Sequence, residues 1–361
     1  MILRCASCQA TYPTDTGAWC CECGGVFELE GAPAFSPRQI RSDVPTLWRY
    51  QAMLPVTEIV SLGEGFTPFV PLHISNLPVL CKLEFLAPTG SFKDRGAAVL
   101  VSALRMMGVT EVVEDSSGNA AASLAAYCAR AGIHARIFVP ASASPAKLAQ
   151  IAVYGADVVP VEGPRENAAL AAQEAAATDY YASHNYSPFF VQGTKTFAYE
   201  VWEHLGGRTP GNVILPLGNG SLLLGAYLGF VDLHTGGLID GVPRLFGVQS
   251  RACAPFYEAY QRGLENAPPV SPGETIAEGI RIARPSRGRQ VLHAVRSTDG
   301  GIIAVNDDEI REARATLAQM GLFVEPTSAT AVAAVHKLEN VITPDEITIL
   351  ALTGSGLKSP A

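Results

Sequence analysis

A chain of 361 residues, 48% hydrophobic and 17% charged, is long enough to bury a sizeable core and to form two domains with a small appendage. Its 26 basic residues against 34 acidic ones give a net charge of −8 with no Lys/Arg run, which argues against nucleic acid and anionic membranes as partners. No apolar run reaches the ~18–20 residues of a membrane span, and Met1-Ile2-Leu3-Arg4-Cys5 lacks the apolar core of a signal peptide. A soluble cytoplasmic protein is expected.

Five of the eight cysteines fall in the first 23 residues, a clustering unlike a disulfide framework. Residues 1–30 therefore read as a separate unit. Cys5-Ala6-Ser7-Cys8 and Cys20-Cys21-Glu22-Cys23 give two Cys-x-x-Cys pairs with eleven residues between Cys8 and Cys20. Each pair offers two thiolates, and two such knuckles complete a tetrahedron around zinc at ~2.3 Å per Zn–S bond. The expected ligands are Cys5, Cys8, Cys20 and Cys23. Cys21 is a spare that can replace Cys20 only at poorer geometry, and iron is the chemical rival to zinc. Gly24-Gly25 supplies the positive φ a knuckle needs. Cys81, Cys128 and Cys253 read as small buried apolar residues.

From Gly31 to Leu62 the chain is irregular and punctuated by proline, with Leu47-Trp48-Arg49-Tyr50 as its anchor to the body. Beyond the turn-rich Gly63-Glu64-Gly65-Phe66-Thr67-Pro68, apolar runs alternate with helical patterns. Strands are predicted at Arg136–Val139, Asp157–Val161, Val213–Leu215, Leu245–Val248, Ile302–Val305 and Ile347–Leu352. Helices are predicted at Ala120–Arg130, Asn167–Ala177, Lys195–Leu205, Asp308–Met320 and Ala329–Leu338, with Asn306 and Glu309 as a capping box. The alternation predicts α/β layers with mostly parallel sheets.

Four segments carry chemistry. Pro88-Thr89-Gly90-Ser91-Phe92-Lys93 delivers a lysine to the start of a helix whose Ala97, Leu100, Val101 and Leu104 share one apolar face. There the helix dipole lowers an ammonium's pKa and favours a nucleophilic amine, although a lone loop lysine is more often a solvated partner of an acid. Asp115-Ser116-Ser117-Gly118-Asn119-Ala120 precedes an Ala-rich helix; its Ser and Asn read either as caps or as donors to a carboxylate. Leu217-Gly218-Asn219-Gly220-Ser221-Leu222 lies between a strand and a helix, where glycines allow close approach to an anion. Leu352-Thr353-Gly354-Ser355-Gly356-Leu357-Lys358 closes an apolar strand. The seven histidines form no H-E-x-x-H pair and no triad.

In this order the four segments resemble the motifs of the threonine synthases, members of the tryptophan-synthase-β-like group of enzymes that use pyridoxal 5′-phosphate (PLP). The resemblance covers Leu62 to Lys358. It implies PLP fold type II, two open-sheet α/β domains. The large PLP-binding one is expected over 31–94 plus 186–361 and the small mobile one over 95–185, with the small four-cysteine, zinc-ribbon-like unit N-terminal to both. By resemblance Lys93 carries PLP as a Schiff base and serves as general base, and Asn119 touches the 3′-oxygen. Gly218, Asn219, Gly220, Ser221 and Leu222 grip the phosphate, while Thr353 bonds the pyridine nitrogen. Ser116, Ser117, Asn119 and Ala120 hold the substrate's α-carboxylate.

The implied reaction is elimination or replacement at the β or γ carbon of a small amino acid, O-phosphohomoserine to threonine first. A threonine/serine dehydratase or a β-replacement synthase is the alternative, and a homodimer is compatible with either. A silent PLP-binding or metabolite-sensing relative is disfavoured by intact Lys93, Asn119 and Thr353. Two departures stand out. Ser355 and Ser359 replace a His and an acidic residue usual in the last motif. Ser187-Pro188-Phe189-Phe190 stands where the family usually has an Arg for the substrate's phosphate. A phosphate ester needs charge-assisted partners, so weak activity on O-phosphohomoserine is expected unless Arg165 or Lys195 supplies the charge.

Overall fold

The computed structural model describes residues 1–143 and 145–359. The chain divides into two compact units, Met1–Gly65 with Lys93–Thr194, and Phe66–Phe92 with Lys195–Ala361. In chain order the elements begin with β1 (Ile2–Cys5), β2 (Thr11–Tyr12), β3 (Phe27–Glu30), β4 (Phe69–Ile74) and β5 (Leu77–Lys82). Then follow α1 (Lys93–Met106), β6 (Glu111–Glu114), α2 (Asn119–Ala131), β7 (His134–Pro140), α3 (Pro145–Val153) and β8 (Asp157–Val161). After these come α4 (Arg165–Ala175), β9 (Tyr180–Tyr181), α5 (Pro188–His204), β10 (Asn212–Pro216), α6 (Ser221–Thr235) and β11 (Arg244–Ser250). The chain closes with α7 (Pro255–Gln261), α8 (Gly288–Ser297), β12 (Gly301–Val305), α9 (Asp307–Gln319), α10 (Pro326–Ala333), α11 (Val335–Leu338) and β13 (Thr348–Ala351). Every predicted strand is present, as are the helices, but the helix predicted from Lys195 already begins at Pro188 and the one predicted over Ala329–Leu338 is divided into α10 and α11. None of the described helices is long and apolar enough to cross a membrane.

In the first unit a parallel sheet runs β8-β7-β6-β9. Because side chains alternate along a strand, neighbours enter different cores. Val112, Ile137 and Val139 pack with α1 and α2, while Val113 and Phe138 pack with Ala168 and Ala172 of α4. Helix α1 has more than the one apolar face its periodicity suggests, being buried continuously from Asp94 to Leu104. Segment 31–65 packs within this unit, whereas the family resemblance groups 31–94 with the larger domain. The reason is apolar: Leu47, Trp48, Leu54, Val56 and Val60 share one core with α1 and α2. Glu64, fully buried, ties the segment down by accepting from Trp48 Nε1 at 2.5 Å and the Tyr127 hydroxyl at 2.8 Å. The N-terminal ribbon is a small antiparallel sheet, β2-β1-β3.

The second unit is built on a six-stranded sheet, β12-β11-β10-β13-β5-β4, parallel except for the edge hairpin β4–β5. Its interior strands read as continuous apolar runs because both faces are covered. Ile214, Val248 and Leu350 share a core with α9 and α10. Lys82, at the end of β5, is fully buried and compensated by Glu200 at 2.9 Å and Thr67 Oγ1 at 2.7 Å.

Candidate active site and candidate metal centre

Three of the predicted segments leave neighbouring strands of the second unit's sheet. Strand β13 pairs in parallel with β10 on one side and β5 on the other, so loops after their carboxyl ends lie side by side. After β10, Leu217 N donates to Val248 O at 2.7 Å and fixes the start of the glycine loop. Gly220 sits at the N-cap of α6 at φ 92°, a left-handed conformation, and no side chain caps it. A Cβ on Gly220 would meet Val291 Cγ2 at 2.3 Å, and one on Gly218 would meet Gly279 O at 3.2 Å. Ser221 and Leu222 open the helix and are buried, while Gly218 and Asn219 are half-buried.

After β13, Thr353 is buried, its hydroxyl 3.1 Å from Ser328 Oγ. Ser328 also donates to Gly354 O at 3.1 Å and accepts from Gly354 N at 2.7 Å, so a serine on α10 shapes this turn. Beyond β5, Phe92 N donates to Thr353 O at 3.0 Å and Lys358 Nζ to Thr89 O at 2.7 Å. The loop ending at Phe92 is thereby laced to the Thr353 turn. Lys93 is the next residue.

Within the first unit Lys93 opens α1, half-buried, with Nζ 5.7 Å from the centre of the Phe190 ring. Two glycines bring α1 and α5 this close. A Cβ on Gly96 would meet Phe190 Cε1 at 2.4 Å, and one on Gly193 would meet Arg95 O at 2.0 Å. Asp94 is buried and accepts from Ser123 Oγ of α2 at 2.6 Å. The loop after β6 carries Ser116, buried, and Ser117, half-buried; Gly118 is the N-cap of α2, without a side-chain cap, and Asn119 and Ala120 open the helix. The Ser and Asn residues are therefore not caps.

Two buried titratable groups that sequence reasoning missed lie nearby. His184 Nδ1 is 2.8 Å from Glu114 Oε1. Burial pushes the Glu114 carboxyl well up, with the Asp115 charge adding to it. Burial likewise pushes His184 well down, helped by the charges of Lys93 and Arg165. Burial thus works against charge on both partners, and the His184 ring lies against Phe190 at 5.7 Å. A histidine and an acid seventy residues apart leave no local signal.

The cysteine cluster differs from the expected set by one residue. Cys5, Cys8, Cys21 and Cys23 bring their sulfurs within 4.8 Å of one another, and Cys20 is not among them. A turn explains it: Cys21 N donates to Gly25 O at 2.9 Å and Gly24 N to Cys21 O at 2.7 Å, with Gly24 at φ 80°. This turn carries Cys21 inward, and Tyr12 Oη lies 3.3 Å from its sulfur. Chiefly through that hydroxyl, the Cys21 thiol is pulled down to about 6. The Cys5–Cys23 and Cys8–Cys21 separations are both 3.5 Å. Sulfurs of a tetrahedral site with ~2.3 Å bonds stand ~3.8 Å apart, so the donor set fits zinc.

A family model described as "Pyridoxal-phosphate dependent enzyme" matches residues 60–354. This chain belongs to that family. Two curated relatives match it almost from end to end. The threonine synthase of Methanocaldococcus jannaschii is 38% identical over 100% of this chain and 93% of its own length. That of Methanosarcina acetivorans is 32% identical over 99% and 92%. Among solved structures, a threonine deaminase from T.th. superposes with a TM-score of 0.69 at 27% identity, covering 80% of this chain and 92% of the other. The architecture is the α/β fold type II of PLP enzymes.

The residues present fit the family's cofactor. A phosphate at a helix N-terminus wants backbone N–H donors and close approach, which the side-chain-free Gly218 and Gly220 allow. Ser91 Oγ, two residues before Lys93, is buried with no hydrogen-bond partner among the described residues. Such a hydroxyl awaits a polar ligand atom, as a PLP enzyme of this kind would supply.

Proposed function

We propose that this chain is a PLP-dependent lyase, a threonine synthase or a close paralogue, acting by elimination or replacement at the β or γ carbon of a small amino acid. One observation carries the reading. The loop ending at Phe92, immediately before Lys93 in the chain, the glycine loop and the Thr353 turn leave three adjacent parallel strands at their carboxyl ends, where α/β sheets bind ligands. The threonine synthase relatives support it over the chain's full length.

Lys93 is assigned the covalent link to PLP, Asn119 the 3′-oxygen, residues 218–222 the phosphate and Thr353 the ring nitrogen. When bound, PLP makes the substrate's Cα proton acidic by withdrawing electrons. The Lys93 amine takes and returns protons at Cα and Cβ. Ser116, Ser117, Asn119 and Ala120 hold the α-carboxylate with hydroxyls and α2's first-turn N–H groups. Thr353, a neutral hydroxyl braced by Ser328, restrains protonation of the ring nitrogen and so favours elimination and replacement over transamination.

A second substrate reading has its own observation. Phe190, only 2% exposed, faces Lys93 where the family usually has a phosphate-binding Arg. Of the two cations that would compensate, Lys195 is buried and paired to Asp232 at 2.9 Å, which leaves the exposed Arg165. A substrate with a less charged distal group than a phosphate is then preferred. Steady-state kinetics on O-phosphohomoserine, serine, threonine, O-phosphoserine and O-acetylserine, reading phosphate, ammonia and 2-oxoacid, separates the two. Efficient threonine formation from O-phosphohomoserine, lost in Arg165→Ala, would remove the second reading. No turnover of any of the five by PLP-loaded protein would remove both.

The same reading includes a structural zinc on Cys5, Cys8, Cys21 and Cys23, in a chain whose cysteines are all free, with a cytoplasmic location. Cys21→Ser should lose the metal and destabilise the ribbon, because structural zinc contributes directly to folding. Cys20→Ser should keep it. Metal analysis showing the reverse would return the assignment to Cys20.

A further inference from the structure

One chain of contacts joins the cysteine cluster to the loop assigned to the substrate. Trp19 immediately precedes the Cys20–Gly24 stretch whose turn carries Cys21 into the cluster. Its indole meets Tyr181 edge-on, with ring centres 5.0 Å apart and planes at 89°, and meets Tyr186 at 4.8 Å and 87°. Tyr181, 3% exposed, donates its hydroxyl to Asp115 Oδ1 at 2.7 Å. Asp115 is the first residue after β6 and begins the stretch Ser116-Ser117-Gly118-Asn119. Every link lies inside the first unit.

The contacts have a direction. Trp19 is half-buried at the edge of the small core beneath α4, so its place depends on the turn behind it. Tyr181, by contrast, is fixed on β9 between that indole and a buried carboxylate. A plain hydrophobic anchor would need no hydroxyl at 181. A buried hydroxyl on a carboxylate instead restrains the backbone that carries it, because breaking the bond leaves a desolvated group unpaired.

We propose that Trp19 and Tyr181 are positioning residues for the substrate: the folded cysteine cluster holds Trp19 on Tyr181, and Tyr181 fixes Asp115, which keeps the 115–120 loop in the form that accepts an α-carboxylate. The inference rests on the assignment of that loop to the substrate. Loosening this chain raises the substrate's KM and leaves PLP bound, because the glycine loop grows from a different sheet.

The test uses the full-length PLP-loaded protein, with hydrogen exchange and metal analysis beside kinetics. Tyr181→Phe, remote from the cysteines, removes the hydroxyl alone. It should raise KM roughly 3- to 10-fold, the range for one buried hydrogen bond, with kcat unchanged. Amide exchange should quicken over 115–120 and stay unchanged over 5–29, with metal content and PLP retention on dialysis intact. Trp19→Ala should raise KM and quicken exchange over 115–120 in the same way, with metal content intact, and Trp19→Phe should restore most of the effect. If Tyr181→Phe and Trp19→Ala leave both KM and exchange over 115–120 as in the parent, Trp19 is a surface anchor and the proposal fails. Faster exchange with unchanged KM also overturns it. Ser117→Ala tells which layer has failed. If Ser117→Ala raises KM while Tyr181→Phe does not, only the positioning claim falls; if Ser117→Ala is also without effect, the loop's assignment to the substrate falls.

Discussion

Helices α9, α2 and α6 each start just beyond a parallel strand, yet their first turns are finished in opposite ways. Helix α9 closes on itself: Glu309 N donates to Asn306 Oδ1 at 2.9 Å, and Asn306 N to Glu309 Oε2 at 2.7 Å. Helices α2 and α6 have glycine at the N-cap, Gly118 and Gly220, with no side-chain cap at either. A turn that caps itself has consumed the donors an anion would take. A glycine cap leaves that role to a ligand. The contrast sets α9, which only builds the fold, against the two glycine-capped helices assigned to the cofactor and substrate.

The ligand-binding side of this comparison should fail hardest when the reactive group is removed. Lys93→Ala should lower turnover by roughly 10²–10⁴-fold for its proton-transfer role alone, with folding intact by circular dichroism. Turnover within tenfold of the parent would break the assignment. Next in size is Gly220→Ala. Its Cβ would stand 2.3 Å from Val291 Cγ2 at a φ of 92°, so backbone strain and a clash of ~1–3 kcal/mol should weaken PLP retention on dialysis. Unchanged retention would mean the glycine loop does not hold the phosphate. The smallest effect belongs to α9. Asn306→Ala should cost about 1 kcal/mol in denaturant unfolding and leave PLP absorbance and kinetics as they were. A kinetic effect there would blur the distinction between the two kinds of helix start.

Much of the fold is legible because the buried parallel strands are local apolar runs. Val213–Leu215 and Leu245–Val248 have no polar position to mislead a reader, and both lie inside the observed β10 and β11. The Asn306–Glu309 box is legible for the same reason, since both partners lie within one turn. Features that depend on distant partners are not. Nothing near Thr353 announces Ser328, twenty-five residues away, which holds its hydroxyl and its turn. Glu114 and His184 meet only because β6 and the segment after β9 run side by side. Cys20 has the better spacing on paper, but the Cys21–Gly25 turn decides which thiol points inward. The β4–β5 hairpin escapes a reading for helices and parallel strands. Its signal is the short Ser75-Asn76 link between two alternating runs, with Ser75 at φ 53°.

Lys93, assigned as the cofactor lysine, follows directly on a loop laced to the Thr353 turn. Borohydride reduction of the purified PLP-loaded protein, followed by digestion and mass mapping, tests that assignment most directly. A single pyridoxyl-modified peptide is expected, the one containing Lys93, because Lys82 is locked to Glu200 and Thr67 and Lys195 to Asp232. A label on Lys82, on Lys195 or on any peptide without Lys93 would contradict it.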